Sequence, residues 1–188
     1  MAGDLMPAAI QSPVWSEFPT PLGRLVAIGS PSGISRLGFS DDDPVAAVED
    51  ETGLRIPRDA AALRDLREQV QAYFEGTLRS FSVAPDLGAI EGFARQVLEQ
   101  ARRVPFGSVA TYGELAARAG SPRAGRAAGS AMRRNPVQLL VPCHRVVPAD
   151  GSIGGYSGRE DRKAFLLDHE AAALGQDAGL PGSAGRGR

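Results

Sequence analysis

The sequence predicts two units in series: a small α/β unit built on a short antiparallel sheet with helices, then a mainly helical unit that carries a helix-turn-helix. Three observations predict this. Over residues 15–39 apolar positions alternate between turn signals, the pattern of β-strands. Through most of residues 93–174 they recur at helical spacing instead. The charge also changes sign between the halves. Residues 1–91 hold 7 Arg against 14 Asp and Glu, whereas residues 92–163 hold 11 Arg and 1 Lys against 5 acids. A net charge of −1 over 188 residues therefore hides a −7 block and a +7 block. The basic block fits a face that meets a polyanion, or a solvated arginine surface, and charge alone leaves both open.

Composition sets further bounds. Hydrophobic residues make up 43% and charged residues 23%, which is globular and excludes wholesale disorder. No run approaches the roughly 18 apolar residues of a membrane-spanning helix. The opening MAGDLMPAAIQSP carries Asp4 and no basic stretch, so it does not read as a signal peptide. A single cysteine, Cys143, excludes an internal disulfide, and with only His144 and His169 beside it a Cys/His zinc site is not expected. Neither a metal nor another cofactor is expected, and a reducing, cytoplasmic setting follows as the default.

Residues 1–13 read as a flexible leader. Val26, Ile28, Ile34, Leu37 and Phe39 supply the strand positions of a meander, broken by Pro19–Gly23 and Ser30–Gly33. Residues 44–58 carry no clear pattern. Asp59 is read as the N-cap of a helix over about 60–75, with Leu63, Leu66, Val70, Tyr73 and Phe74 on one face and Gly76 as the stop. Residues 77–91 read as a short strand plus linker. The first unit is thus placed at 14–88 and the second at 89–174, with 175–188 a disordered tail. In the second unit Phe93, Val97, Ala101 and Val104 mark a helix closed by Pro105 and Gly107. Thr111 and Glu114 fit a capping box. The helix they open stops at Gly120, and Ser121-Pro122 reads as N-cap and first turn of the next, running to about Arg133. Two short helices around one Gly fit a helix-turn-helix, or an ordinary helical hairpin. Ser157 and Glu160 match a second capping box, opening a last helix.

The most informative stretch is Asn135 to Val147. The apolar run Val137–Val141 is expected to be buried and to deliver Cys143 beside His144 and Arg145. A thiolate is the reactive form of cysteine, and neighbouring cations lower a thiol's pKa. A lone buried Cys is more often a small hydrophobe. Such a residue gains nothing from polar flanks, so the Pro-Cys-His-Arg context favours a nucleophile. A cysteine-protease dyad fits poorly, because adjacent residues in extended chain rarely face each other.

Pro142-Cys143-His144-Arg145-Val146 resembles the active-site motif of the O6-alkylguanine-DNA alkyltransferases, the methylated-DNA–protein-cysteine methyltransferases. Phe106–Ala116 (FGSVATYGELA) is similar to that family's entry into its helix-turn-helix. Arg126–Met132 with Asn135-Pro136 resembles its recognition helix and hinge. Gly155–Gly158, Lys163 and Leu166–Glu170 resemble the segment after the cysteine. Weaker likenesses lie at Thr20–Gly23 and Leu66–Gly76, so the resemblance spans roughly residues 15–171.

The resemblance implies a ribonuclease-H-like first unit, a winged-helix-like second unit and a reaction. Duplex DNA with an O6-alkylguanine is bound through its minor groove, the base is flipped, and Cys143 takes the alkyl group in one irreversible event. O4-alkylthymine is implied as a second substrate. By resemblance His144 is the base on Cys143, Glu170 orients His144, Tyr112 protonates the leaving guanine and Asn135 braces the hinge. Met132, Val146, Tyr156, Ser157 and Gly158 line the substrate pocket. Arg126 fills the space of the flipped base. Gly125 and Ala127 allow close approach to the groove, and Thr111, Arg123 and Arg133 contact DNA, with Arg102, Arg103 and Arg134 as further phosphate candidates. The protein is expected to act as a monomer, away from membranes, with cooperativity on DNA left open. In the family Gly-Leu follows Tyr-Ser-Gly, whereas here it is Arg159-Glu160, in the loop that bounds the alkyl pocket. Two rivals are a non-catalytic lesion-binding module, which lacks the nucleophilic cysteine, and a thiol hydrolase, for which no separate His or oxyanion signature exists.

Overall fold

The computed structural model describes residues 10–42 and 44–176. The chain divides into two compact units between Asp86 and Leu87. The leader and tail readings fall largely on residues 1–9 and 177–188, outside the described residues.

The first unit is a three-stranded antiparallel sheet, β1 (Val14–Thr20), β2 (Gly23–Ser30) and β3 (Gly33–Phe39), in that order. Pro21-Leu22 and Pro31-Ser32 make the two hairpin turns, closed by the pairs Thr20–Gly23 and Ser30–Gly33. Glycine is required at 33, where φ is +135° and a Cβ would run into the Ala84 carbonyl. The central strand β2 is buried continuously from Leu25 to Gly29 rather than alternately. Helix α1 (Pro44–Thr52) packs on β2 and β3, and α2 (Arg64–Phe74) packs on β1 through a face of Leu66, Val70 and Tyr73.

Three readings of this half need correction. Residues 44–52 are helical although none of them is buried, which is why no apolar stripe announces α1. Helix α2 starts at Arg64, not near 60. Asp59 does cap, but it caps the preceding turn, accepting from the amides of Ala61 and Ala62 at 2.9 and 3.0 Å. The strand expected in 77–91 reduces to one bridge, Pro85 to Ile34, because Pro85 has no amide to extend a ladder.

In the second unit α3 (Gly92–Ala101), α4 (Tyr112–Arg118) and α5 (Gly125–Arg133) pack on one another. Their core is Val97, Leu98, Ala101, Leu115, Ala116, Ala128 and Ala131. Small residues on α5 let the helices approach closely. Thr111 and Glu114 form the expected capping box: the Thr111 oxygen accepts from the Glu114 amide at 3.1 Å, and Glu114 accepts from the Thr111 amide at 2.6 Å. The helix-turn-helix is α4 and α5, but six residues, not one glycine, connect them. Residues 121–124 form a turn closed by the Ala124 amide on the Ser121 carbonyl, so Ser121 is not the N-cap of α5. Before α4, β4 (Ala110–Thr111) pairs in parallel with β5 (Val146–Val147), tying the entry of α4 to the chain just after Cys143. The last helix, α6 (Glu160–Ala173), packs on the turn Cys143–Arg145. Its expected capping box is absent. Ser157 is left-handed at φ +53°, and Glu160 instead accepts from the Tyr156 amide at 3.1 Å. Among the described residues no helix is long and apolar enough to cross a membrane.

Candidate active site

Cys143 starts a single 3-10 turn, Cys143–Arg145, reached through the buried Val137–Val141 segment. Asn135 shapes that approach. Its amide donates to the Val141 carbonyl at 2.8 Å and its carbonyl oxygen accepts from the Val137 amide at 3.0 Å. One buried side chain thus satisfies two backbone groups of an irregular segment, in which Leu139 is left-handed at φ +66°.

The 3-10 turn sends its side chains in different directions. Cys143 is half-buried and lines a cavity of about 950 Å³. His144 and Arg145 turn inward instead and converge on Glu170 of α6, whose side chain is wholly buried. His144 Nε2 lies 2.8 Å from Glu170 Oε1. Arg145 Nε and its terminal nitrogen donate to the carboxylate at 2.9–3.1 Å, and its other nitrogen donates to the Val104 carbonyl at 2.8 Å. The Gly107 amide supplies a further bond to Glu170 at 2.8 Å.

Protonation follows from this wiring. Burial alone would raise the Glu170 pKa, but the bonds and charges of His144 and Arg145 outweigh it and hold the carboxyl well below the usual range. Glu170 is therefore an acceptor only, so His144 Nε2 must carry the proton. Burial lowers the His144 pKa despite Glu170, which keeps the imidazole neutral. Its Nδ1 is then a bare lone pair, and it is buried without a hydrogen-bond partner among the described residues.

The thiol departs from the sequence expectation. Its basic neighbours do not lower its pKa, because His144 is neutral and Arg145 is engaged by Glu170. Burial instead pushes the Cys143 thiol up, partly offset by hydrogen bonds from Asn135 and Tyr156 and by the charge of Lys163. Lys163 is the one lysine of the chain. Its ammonium is buried, donates to the Val146 carbonyl at 2.6 Å, and has its pKa lowered to about 8 by burial against the pull of Cys143 and Glu160.

Of the candidate residues, Tyr112, Gly125, Arg126, Met132, Arg133, Asn135, Cys143, Tyr156, Ser157 and Gly158 line this cavity. Tyr112 is half-buried, and burial followed by the proximity of Cys143 raises its pKa, so the phenol stays protonated. His144 and Glu170 lie behind the cavity wall. Val146 is not among its lining residues: it is wholly buried, pairs with Ala110, and its carbonyl accepts from the buried Lys163 ammonium. Thr111 serves as the cap of α4, while Arg123 and Ala127 are exposed beside the cavity-lining residues of α5. Arg102 is ion-paired with Glu99 at 3.3 Å. Sequence reasoning missed the anchoring role of Arg145 and the place of Lys163. A lone lysine among 20 arginines was the available signal for the second. Gln138 and Pro148, also in the lining, gave none.

A polar-buried thiol in a cavity walled by the second helix of a helix-turn-helix defines a class: a DNA-binding-type unit built around a nucleophile. Comparison with known proteins agrees. Residues 14–87 match the model of the 6-O-methylguanine DNA methyltransferase ribonuclease-like domain, and residues 92–172 match that family's DNA binding domain. The chain belongs to the 6-O-methylguanine DNA methyltransferase family. The methylated-DNA–protein-cysteine methyltransferase of Methanosarcina acetivorans is 35% identical over 158 residues, covering 84% of this chain and 98% of the relative. The Homo sapiens protein of the same name is 39% identical over 178 residues, covering 88% and 84%. The crystal structure of Mycobacterium tuberculosis OGT in complex with DNA has a TM-score of 0.72 at 32% identity, covering 85% of this chain and 93% of that one.

Proposed function

We propose that this protein repairs duplex DNA by direct reversal, moving the alkyl group of an O6-alkylguanine onto Cys143. The observation that carries the reading is the Cys143 sulfur in the lining of a cavity that Tyr112, α5 and the 155–158 loop enclose, with a neutral His144 held by Glu170 behind it. The new bond joins Sγ to the alkyl carbon, and the bond from that carbon to guanine O6 breaks. The thiol proton passes, by way of a water, to His144 Nδ1, whose lone pair is free. Tyr112, still a phenol, donates a proton to the departing guanine. A thiol with a raised pKa is inert between encounters and needs that base at the moment of transfer. Lys163 is the nearby cation that favours the thiolate as it forms.

The DNA-facing side in this reading is α5 with its exposed Arg126, flanked by Arg123 and Arg133, on the minor groove of a flipped-out base. Such a site reads a lesion, not a sequence, so base-edge contacts are not required of it. O4-alkylthymine presents the same leaving chemistry and is a second substrate. The protein acts as a monomer in a reducing, cytoplasmic setting, where an unpaired reactive thiol persists.

Mixing the protein with a duplex that carries O6-methylguanine tests this by intact mass and peptide mapping. One methyl group should appear on Cys143, with guanine restored and the reaction halted at one equivalent, because a thioether has no ready leaving step. Cys143→Ser should transfer nothing and still bind DNA. Turnover beyond one equivalent, or a methyl group mapped elsewhere, refutes the reading.

A further inference from the structure

Glu160 enters neither the transfer chemistry nor the DNA contacts described above, yet it is part of the cavity lining. It is the first residue of α6, where a negative charge suits the helix N-terminus. Its carboxylate accepts from the Tyr156 amide at 3.1 Å, and bonds with the backbone of Tyr156, Glu160 and Gly158 lower its pKa, so it is charged at neutral pH. It therefore clasps a loop in which two successive residues, Ser157 at φ +53° and Gly158 at φ +78°, are left-handed. The loop shares its cavity with the reacting atom, since Tyr156, Ser157 and Gly158 line it together with Cys143. A substituent beyond the transferred carbon enters the cavity whose lining holds Cys143, Tyr156–Gly158 and, at its exposed side, Glu160.

Resting on the alkyl-transfer reading above, we infer that Glu160 is a specificity-determining residue: it places a fixed negative charge on the wall of the alkyl pocket and makes the protein discriminate against O6 adducts that end in an anion. The bond changes are those of methyl transfer, with the CH2 carbon of the adduct moving to sulfur and guanine leaving. Other charges face the same space. Arg126 and Arg133 lie on the α5 wall and the Lys163 ammonium lies beneath the loop. They act on the anionic adduct and not on the neutral one, but they do so alike in wild type and variant. The contribution of Glu160 is therefore isolated in a ratio of ratios.

The experiment uses duplexes carrying O6-carboxymethylguanine or O6-carbamoylmethylguanine, which match in size and differ in charge. Transfer rates to the full-length protein are measured by quench and intact mass. The rate ratio of carbamoylmethyl to carboxymethyl should fall about two- to threefold on Glu160→Gln at low salt, the size expected for two like charges when one sits on an exposed side chain. Glu99→Gln, which removes the same charge from α3 outside the cavity lining, should leave the ratio unchanged. A ratio that does not move in E160Q, or moves equally in E99Q, overturns the inference. If E160Q loses methyl transfer altogether, the wild-type protein still decides the matter: added salt must shrink its preference for the neutral adduct, and a salt-independent preference overturns the assignment. Failure of wild type to accept even a methyl group would instead overturn the proposed function.

Discussion

Glu17 and Glu170 each hold two basic side chains, one at the surface and one out of water. In the first unit, Glu17 on β1 accepts from Arg24 at 2.7 Å and lies 3.4 Å from Arg58, with its side chain 23% exposed. In the second, Glu170 on α6 takes His144 and Arg145, with its side chain 0% exposed. Both carboxyls titrate below their ordinary value, Glu17 through its bond to Arg24 despite slight burial, Glu170 against a large burial cost. At the surface, water competes for every bond and screens every charge, so the Glu17 constellation decorates a sheet edge. Out of water the same chemistry becomes obligatory. Glu170 cannot be left with an unmatched charge, and its demand for donors fixes the His144 tautomer and draws Arg145 away from Cys143. Burial turns an ion pair into a device that sets the state of a neighbouring base.

The largest stability effect should come from breaking the buried group on its cationic side. Arg145→Ala removes three bonds to Glu170 and the one to the Val104 carbonyl, and leaves a buried carboxylate facing a neutral imidazole. Stability should fall by about 3–5 kcal/mol in urea unfolding. A loss below about 1 kcal/mol would mean that the buried and exposed groups behave alike.

Acid sharpens the contrast. The carboxyl of Glu170 is depressed in the folded state, so the stability it contributes is complete above its unfolded pKa, near the ordinary glutamate value of 4.5, and is lost as pH falls towards the folded value. Wild type should therefore lose urea resistance steeply below pH 4.5, and Glu170→Gln, already weaker at pH 7, should lose it with a shallower slope. Equal slopes would remove Glu170 from the acid response.

A smaller effect is expected at the α4 cap. Thr111→Ala breaks one half of the capping box and should cost about 1 kcal/mol in urea unfolding. The loss falls at the junction where β4 meets β5, so amide exchange should rise first at Glu114, whose amide the Thr111 oxygen holds.

The capping box was legible in the sequence because both partners lie within four residues. The same holds for the α2 face of Leu66, Val70 and Tyr73 and for the cysteine motif, which are local patterns imposed by backbone geometry. The start of α5 and the absence of a box at Ser157 were not legible. Both depend on which of several polar groups wins a backbone amide, and Glu160 won at 156 through a turn that no periodicity encodes. The site was legible as a set of residues and illegible as wiring. The bonds from His144 and Arg145 to Glu170 span 26 and 25 residues, and the sequence sets both side chains beside the thiol where the fold turns them inward. Val146 was misplaced for the same reason, since its pairing with Ala110 crosses from one segment to another.

The smallest expected effect is the control on which the comparison stands. Arg24 makes the better-looking surface pair, donating through Nε and a terminal nitrogen to both oxygens of Glu17 at 2.9 and 2.7 Å. By geometry alone it should matter as much as Arg145. Its side chain is 54% exposed, however, so water replaces each lost bond at once. Glu17 also keeps Arg58, which is itself stacked over the Trp15 ring with 5.3 Å between the guanidinium carbon and the ring centroid. Arg24→Ala should accordingly leave the urea midpoint within the scatter of replicate measurements, at low salt and at high salt alike, and leave alkyl transfer untouched. A midpoint shift approaching that of Arg145→Ala would show that bond geometry, not removal from water, separates the two carboxylates.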